Sequence, residues 1–320
     1  LQCWSADVRG DELFGLFPTL YAQFYQTAPD SGPADWSPEK RQAVFRWWRS
    51  RLTPVPRLPE AWKKYLRTPD LLLTQEEADP TTAADYQFLY QCRTPIHLLD
   101  EQEQPIDGSA EDCILRWLQQ RDRPCALLLG DFGDGKTFFT YVLARRLAED
   151  FLRSPTAGWI PLRLSLRELG DRPQRFRDFL EQRLREFGGD VASWNEIKRE
   201  YRFLIMLDGL DEMSLGMSDA AVLDNLTVLE DLMEQFRGCR LLVTSRKMAI
   251  YSDRIRERIL LSLDGPDILH MGPVAPGDRV AFLERLADTP ERKARLQRMR
   301  STYDLLALAA KPLFLNMMRV

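Results

Sequence analysis

Histidine is scarce in this chain: 320 residues hold two, His97 and His270, far apart in sequence. Chemistry built on a histidine base or a histidine-rich metal site has little to draw on. The five cysteines, Cys3, Cys92, Cys113, Cys125 and Cys239, are odd in number and scattered, and none forms a Cys-x-x-Cys pair. That excludes a disulfide framework and a zinc site as organising features. No apolar run approaches the ~20 residues that a membrane helix needs, and no secretory leader is present. Charge is not concentrated in one sign: 44 Lys+Arg stand against 48 Asp+Glu, for a net charge of −4. A dedicated nucleic-acid surface is therefore not expected. Internal repeats are lacking too. These absences describe a soluble, cytoplasmic protein whose 44% apolar content suffices for a packed core. Its length suits two or three structural units. The chain opens on Leu1 and stops at Val320, just after an apolar helical stretch, Pro312 to Met318. Both ends read as cuts in a longer protein.

What the sequence does have is concentrated between Ala126 and Thr140. A short apolar run, Ala126 to Leu129, predicts a buried parallel strand. A glycine-rich turn follows, Gly130 to Gly135, and a helix opens at Lys136 and runs to about Leu152. Gly130, Gly135, Lys136 and Thr137 fit G-x-x-x-x-G-K-[ST], a phosphate-binding loop. The chemistry requires these residue types. Glycines let successive N–H groups turn inward around a phosphate, and the helix N-terminus adds partial positive charge. Lys136 would reach the β- and γ-phosphates, and the Thr137 hydroxyl would ligate Mg²⁺. A chance glycine turn is the bland alternative, and a strand before and a helix after weigh against it.

Phe203 to Glu212 is the second decisive segment. Five apolar residues end in Asp208, as when a central strand delivers a carboxylate to its C-terminal edge, where ligands bind in open α/β sheets. Asp208 would hold the water shell of Mg²⁺. Asp211 and Glu212 follow and can orient an attacking water near the γ-phosphate. A third apolar strand, Arg240 to Thr244, has Ser245 and Arg246 at its tip, and an arginine there can report the γ-phosphate.

Around this centre the texture changes twice. Residues 1–95 hold five of the eight tryptophans and read as mainly helical, with helices over Glu12 to Tyr25, Ser37 to Leu52, Glu60 to Arg67 and Asp79 to Gln91. No catalytic constellation appears there. Residues 96–272 carry the nucleotide motifs. Within them Ala110 to Gln120, Gln174 to Phe187, Ser193 to Tyr201 and Ala220 to Phe236 read as helices, and Trp159 to Leu166 as a strand. Ile259 to Leu263 and Asp267 to Met271, around Asp264-Gly265, predict a short extended pair. Residues 273–320 turn helical, over Asp278 to Ala287, Pro290 to Met299, Tyr303 to Ala309 and Pro312 to Met318. The basic run Arg292 to Arg300 reads as a solvated helix face. The expected fold class is α/β: a parallel central sheet flanked by helices, preceded by a mainly helical region and followed by a small helical domain.

Three stretches together resemble the NACHT branch of the STAND signalling NTPases: Gly130-Asp131-Phe132-Gly133-Asp134-Gly135-Lys136-Thr137, then Leu207-Asp208-Gly209-Leu210-Asp211-Glu212, then Leu242-Val243-Thr244-Ser245-Arg246. The small residue directly after Asp208, with acids further on, is the most specific of them. Pro312, within Ala310-Lys311-Pro312-Leu313, resembles the helical-domain proline that packs near adenine in this family. The resemblance spans about residues 95–320. It implies that residues 130–138 and Pro312 hold ATP or ADP, that Thr137 and Asp208 hold Mg²⁺, and that Asp211, Glu212 and Arg246 serve catalysis. It further implies a switch, closed with ADP and self-associating with ATP, that drives an effector in antiphage defence or innate immunity. Neither effector nor trigger is legible. Phe138 departs from the hydroxyl residue that often follows the loop threonine, and Asp134 places an acid in the phosphate loop. A nucleotide-holding scaffold without useful hydrolysis, and a metabolic P-loop kinase, are the other readings the motifs admit.

Overall fold

The strands follow from apolar runs whose two alternating faces are both buried, as a sheet covered on both sides requires. The structure, a computed structural model, describes residues 58–74, 77, 79–120, 123–155, 158–169, 176–212, 230, 236–247, 252–287, 289–302 and 309–313. The six strands are β1 (Leu98–Leu99), β2 (Cys125–Leu129), β3 (Ile160–Ser165), β4 (Phe203–Asp208), β5 (Arg240–Ser245) and β6 (Asp267–Met271). They form one sheet in the order β1-β6-β2-β5-β4-β3. All pairings are parallel except the edge pair, where Leu98 lies antiparallel to Met271.

Period-2 alternation divides the core. Cys125, Leu127 and Leu129 share one apolar cluster with Leu162, Leu164, Phe203, Ile205, Leu207, Leu241 and Val243. Ala126 and Leu128 join Leu204, Met206 and Leu242 in the other. The described helices are α1 (Glu60–Arg67), α2 (Pro80–Cys92), α3 (Ala110–Trp117), α4 (Lys136–Arg153), α5 (Phe176–Glu186), α6 (Val191–Glu200), α7 (Asp253–Ser262), α8 (Pro276–Leu286) and α9 (Pro290–Thr302). Their starts are chemically marked. Asp79 caps α2 by accepting from the Thr81 and Thr82 N–H groups, with Pro80 at the first helical position. Asp190 and Ser193 form a reciprocal capping box on α6. A third cluster, Val274, Phe282, Leu283, Ala287, Leu296 and Ala309, gives the helical tail its own small core.

Most predicted elements form within two or three residues of where the sequence places them. One does not. Ile259 to Leu263, predicted extended, belongs to α7. A short apolar run fits either period, and here Ile255, Ile259 and Ser262 are buried at helical spacing. Asp264 and Gly265, both at positive φ, end that helix: the Gly265 N–H returns to the Leu260 carbonyl at 3.0 Å. The predicted stretches Glu12 to Tyr25 and Ser37 to Leu52 lie outside the described residues, as do nearly all of Ala220 to Phe236, most of Tyr303 to Ala309 and of Pro312 to Met318.

The compact unit that holds the sheet begins at Leu58. Trp62 of α1 is fully buried and packs its ring against Phe187 at 5.0 Å, Phe203 at 5.3 Å and Trp194 at 5.9 Å. Residues 58–74 are thus part of the layer covering one sheet face.

Candidate functional site

Strand order builds the site. Because β5 lies between β2 and β4, the glycine loop after β2, the acids after β4 and the Thr-Ser-Arg tip of β5 meet at one sheet edge. This is the C-terminal edge of the parallel strands, where α/β folds bind ligands. The loop is pinned to β5 by the Gly130 N–H, which donates to the Ser245 carbonyl at 3.2 Å.

The loop's geometry explains its glycines. Gly133 and Gly135 have φ of +83° and +84°, and a Cβ on Gly135 would sit 3.3 Å from Pro312. Gly135 is also the N-cap of α4 and offers no side-chain cap, so the first N–H groups of that helix face the loop cavity without intrahelical acceptors. The Lys136 Nζ donates to the Gly130 carbonyl at 2.6 Å and the Asp131 carbonyl at 3.2 Å. Lys136 thus folds back over the hollow that its own loop encloses. Burial pulls its pKa down, against the raising influence of Asp211, Asp134 and Asp208. A phosphate entering the loop would meet those needs directly.

Asp134 fits the loop rather than opposing it. Its carboxylate accepts the Asp131 N–H at 2.5 Å and pairs with Lys311 at 3.0 Å. Phe138, in place of a second hydroxyl, sets its ring edge-on to Tyr86 at 5.6 Å. Phe132 points outward and is 71% exposed at the loop tip.

Asp208 ends β4 and is buried. The Thr244 hydroxyl donates to its Oδ1 at 2.5 Å. Burial raises the Asp208 pKa, while Arg163 and the Thr244 and Thr137 hydroxyl groups oppose that rise. Asp208 and Thr137 line the same cavity, and a carboxylate with a threonine hydroxyl is a hard-oxygen pair of the kind Mg²⁺ takes alongside phosphate and water. The residues present therefore fit that ion. Among the described residues no cluster of three His, Cys, Asp or Glu side chains suits a metal held by protein alone.

Asp211 and Arg246 are brought together. The Asp211 carboxylate takes the Arg246 backbone N–H at 3.0 Å and its Nε at 2.9 Å. Glu212 stands beside them, partly exposed, with Arg167 Nε at 3.9 Å. Gly209, at φ +85°, leaves room for the Glu212 side chain, which a Cβ would meet at 3.3 Å.

One cavity of about 320 Å³ joins these parts. It is lined by Lys136, Thr137, Asp208, Asp211, Glu212 and Arg246 at its polar end, and by Leu89, Ile96, Phe138, Phe282, Pro312 and Leu313 at its apolar end. Every sequence-predicted site residue described here lies at or beside this cavity. The apolar liners from α2 and α8 escaped sequence reading, since no motif spacing links residues so far apart. Thr244 escaped it as well, although its place beside Arg246 at a strand tip was a usable signal.

No curated protein matches the chain. Among solved structures, ORC1 of Aeropyrum pernix in complex with DNA is similar at 17% identity and a TM-score of 0.41, covering 79% of this chain and 63% of that one. C. elegans PCH-2 is similar at 12% identity and a TM-score of 0.36, covering 66% and 51%. The chain thus spans less than two thirds of either protein. The family model described as the NACHT domain matches residues 125–289, from β2 through α8 and more than half of the chain. The chain belongs to the NACHT family of P-loop nucleotide-binding NTPases.

Proposed function

We propose that this chain is an ATP/ADP-controlled switch that hydrolyses ATP slowly and regulates by its nucleotide state rather than by turnover. The observation that carries the reading is the single cavity in which a phosphate loop, a buried carboxylate, a strand-tip arginine and the helical-tail residues Pro312 and Leu313 all take part. A nucleotide there would lie against both the sheet edge and the tail, so its chemical state is felt by two structural parts.

Each residue has a defined task. The loop N–H groups and Lys136 hold the phosphates. Thr137 and Asp208 would hold Mg²⁺, which would supply neutralisation of phosphate charge. Ile96, Phe282 and Pro312 receive the adenine, whose flat aromatic faces suit their apolar surfaces. Asp211 spends its carboxylate on Arg246, which places Arg246 toward the γ-phosphate and leaves Glu212 as the carboxylate to orient water. A γ-phosphate competing for Arg246 would free Asp211, and this exchange of partners is the switching event. By the family resemblance, the output is self-association that drives an unidentified effector in defence signalling within the cytoplasm.

The test is the nucleotide retained by the purified protein, released by denaturation and identified by chromatography. Tightly held ADP is expected, and Lys136→Ala should come out empty. An empty wild-type site with rapid turnover of added ATP would overturn the switch reading.

A further inference from the structure

Arg163 sits in the middle of β3, a strand buried along its whole length, and its own side chain is fully buried. A guanidinium in such a place is held only by extensive hydrogen bonding, and here it is. Its Nη1 donates to Glu77 Oε2 at 2.6 Å and to the Leu72 carbonyl at 2.9 Å. Its Nη2 donates to Glu77 Oε1 at 2.9 Å, to the Thr140 hydroxyl at 2.9 Å and to the Thr137 carbonyl at 3.2 Å. Nε reaches Thr140 Oγ1 at 3.1 Å, and the Thr140 hydroxyl in turn donates to the Thr137 carbonyl at 2.8 Å. Glu77 is itself held by the Thr74 N–H at 2.9 Å and the Tyr86 hydroxyl at 3.3 Å.

Two features of this network point toward the nucleotide. The arginine braces the first turn of α4 through the main chain of Thr137, which lines the cavity together with Asp208. It also shares a sheet face with Asp208: Arg163 pairs with Met206 of β4, two positions before that carboxylate, and period-2 alternation brings the two side chains to one side. We propose that Arg163, oriented by Glu77, is a positioning residue for the Mg²⁺–phosphate site: it fixes the Thr137 turn, and Glu77 cancels its charge so that Asp208 keeps its attraction for the cation. The proposal rests on nucleotide and Mg²⁺ binding at the cavity described above. Glu77 precedes the NACHT-matched residues 125–289, so a side chain from outside that match governs its metal site.

The charge relation gives a signature that loss of structure does not. Glu77→Gln keeps the shape and removes the charge, leaving the guanidinium uncompensated. Mg²⁺ should then be repelled while phosphate is attracted. Binding of a fluorescent ADP analogue is titrated across Mg²⁺ concentrations and again in EDTA. The Mg²⁺ concentration at half-effect should rise about fivefold or more for Glu77→Gln, with ADP affinity in EDTA equal to wild type or tighter. Glu77→Asp, which keeps the charge and disturbs the shape, should keep the Mg²⁺ midpoint within about twofold. Thr140→Val, which breaks the brace without touching charge, should lower ADP affinity severalfold with and without Mg²⁺ and leave the midpoint in place.

Equal weakening of both affinities in Glu77→Gln, or an unchanged Mg²⁺ midpoint, would overturn the charge arm. Wild-type affinity in Thr140→Val would overturn the brace. Should Glu77→Gln not fold, a shifted midpoint in Glu77→Asp overturns the charge arm, and Thr140→Val still decides the brace. A wild-type protein that binds ADP no better than Lys136→Ala would instead refute the nucleotide site itself.

Discussion

At the residue scale, Thr244 shows how one hydroxyl can hold two strand ends in register. It donates to the Asp208 carboxylate and accepts the Gly209 N–H at 2.9 Å, so β5 orders the turn that follows β4. Thr244 is itself fully buried. Thr244→Val keeps the shape but leaves a buried N–H unpaired and a buried carboxylate short of one donor. The expected cost is about 1–3 kcal/mol, read as a lowered urea midpoint in the Mg²⁺-free protein. The loss should shrink when Mg²⁺ and nucleotide are added, because the cation takes over part of the support of Asp208. A valine variant as stable as wild type would mean that the hydroxyl contributes nothing net there.

At the element scale, α1 is the piece whose importance its sequence conceals. Its eight residues carry a tryptophan among charges and follow a proline-rich stretch, a pattern that names no packing partner. Yet Trp62, Tyr65 and Leu66 are buried against α5, α6 and β4. Residues beside it also accept from buried arginine: Arg183 Nη2 donates to the Leu71 and Leu73 carbonyls at 2.7 Å and 2.8 Å. Trp62→Ala should cost about 3–5 kcal/mol, measured by thermal or urea unfolding. A chain started at residue 96 should lose that layer, strip Arg163 of Glu77 and the Leu72 carbonyl and Arg183 of the Leu71 and Leu73 carbonyls, and aggregate. The strands and the phosphate loop were legible because local rules specify them: an apolar run, a glycine turn and a helix start are all read within fifteen residues. The helix Glu60 to Arg67 was legible in the same way, but the packing of segment Leu58 to Glu77 was not, because its partners are Phe203, Trp194, Arg163 and Arg183, more than eighty residues away. Ile259 to Leu263 failed for the converse reason, since a five-residue apolar run carries too few turns to separate the helical period from the strand period.

At the scale of the whole sheet-bearing unit, the site closes only because the tail returns to it. Leu313 donates its N–H to the Gly133 carbonyl at 3.1 Å, and Lys311 Nζ bonds the Phe132 carbonyl at 3.0 Å and pairs with Asp134 at 3.0 Å. These contacts grip the phosphate loop, and Pro312 packs on the glycine that starts α4. The Lys311–Asp134 pair is partly exposed, with side-chain accessibilities of 36% and 16%, so it adds no more than about 1 kcal/mol to folding. Its effect on release should be larger than its effect on stability, because the pair ties the loop to a tail whose Pro312 and Leu313 line the cavity. Lys311→Ala is therefore expected to speed the release of a fluorescent ADP analogue about threefold to tenfold while the melting temperature of the nucleotide-free protein moves by no more than about 2–4 °C. The chase is to be run at high Mg²⁺, so that release is not limited by loss of the cation. An unchanged release rate would show that the tail rests on the loop without gating it, and nucleotide state would then have to reach the rest of the molecule through Arg246 alone.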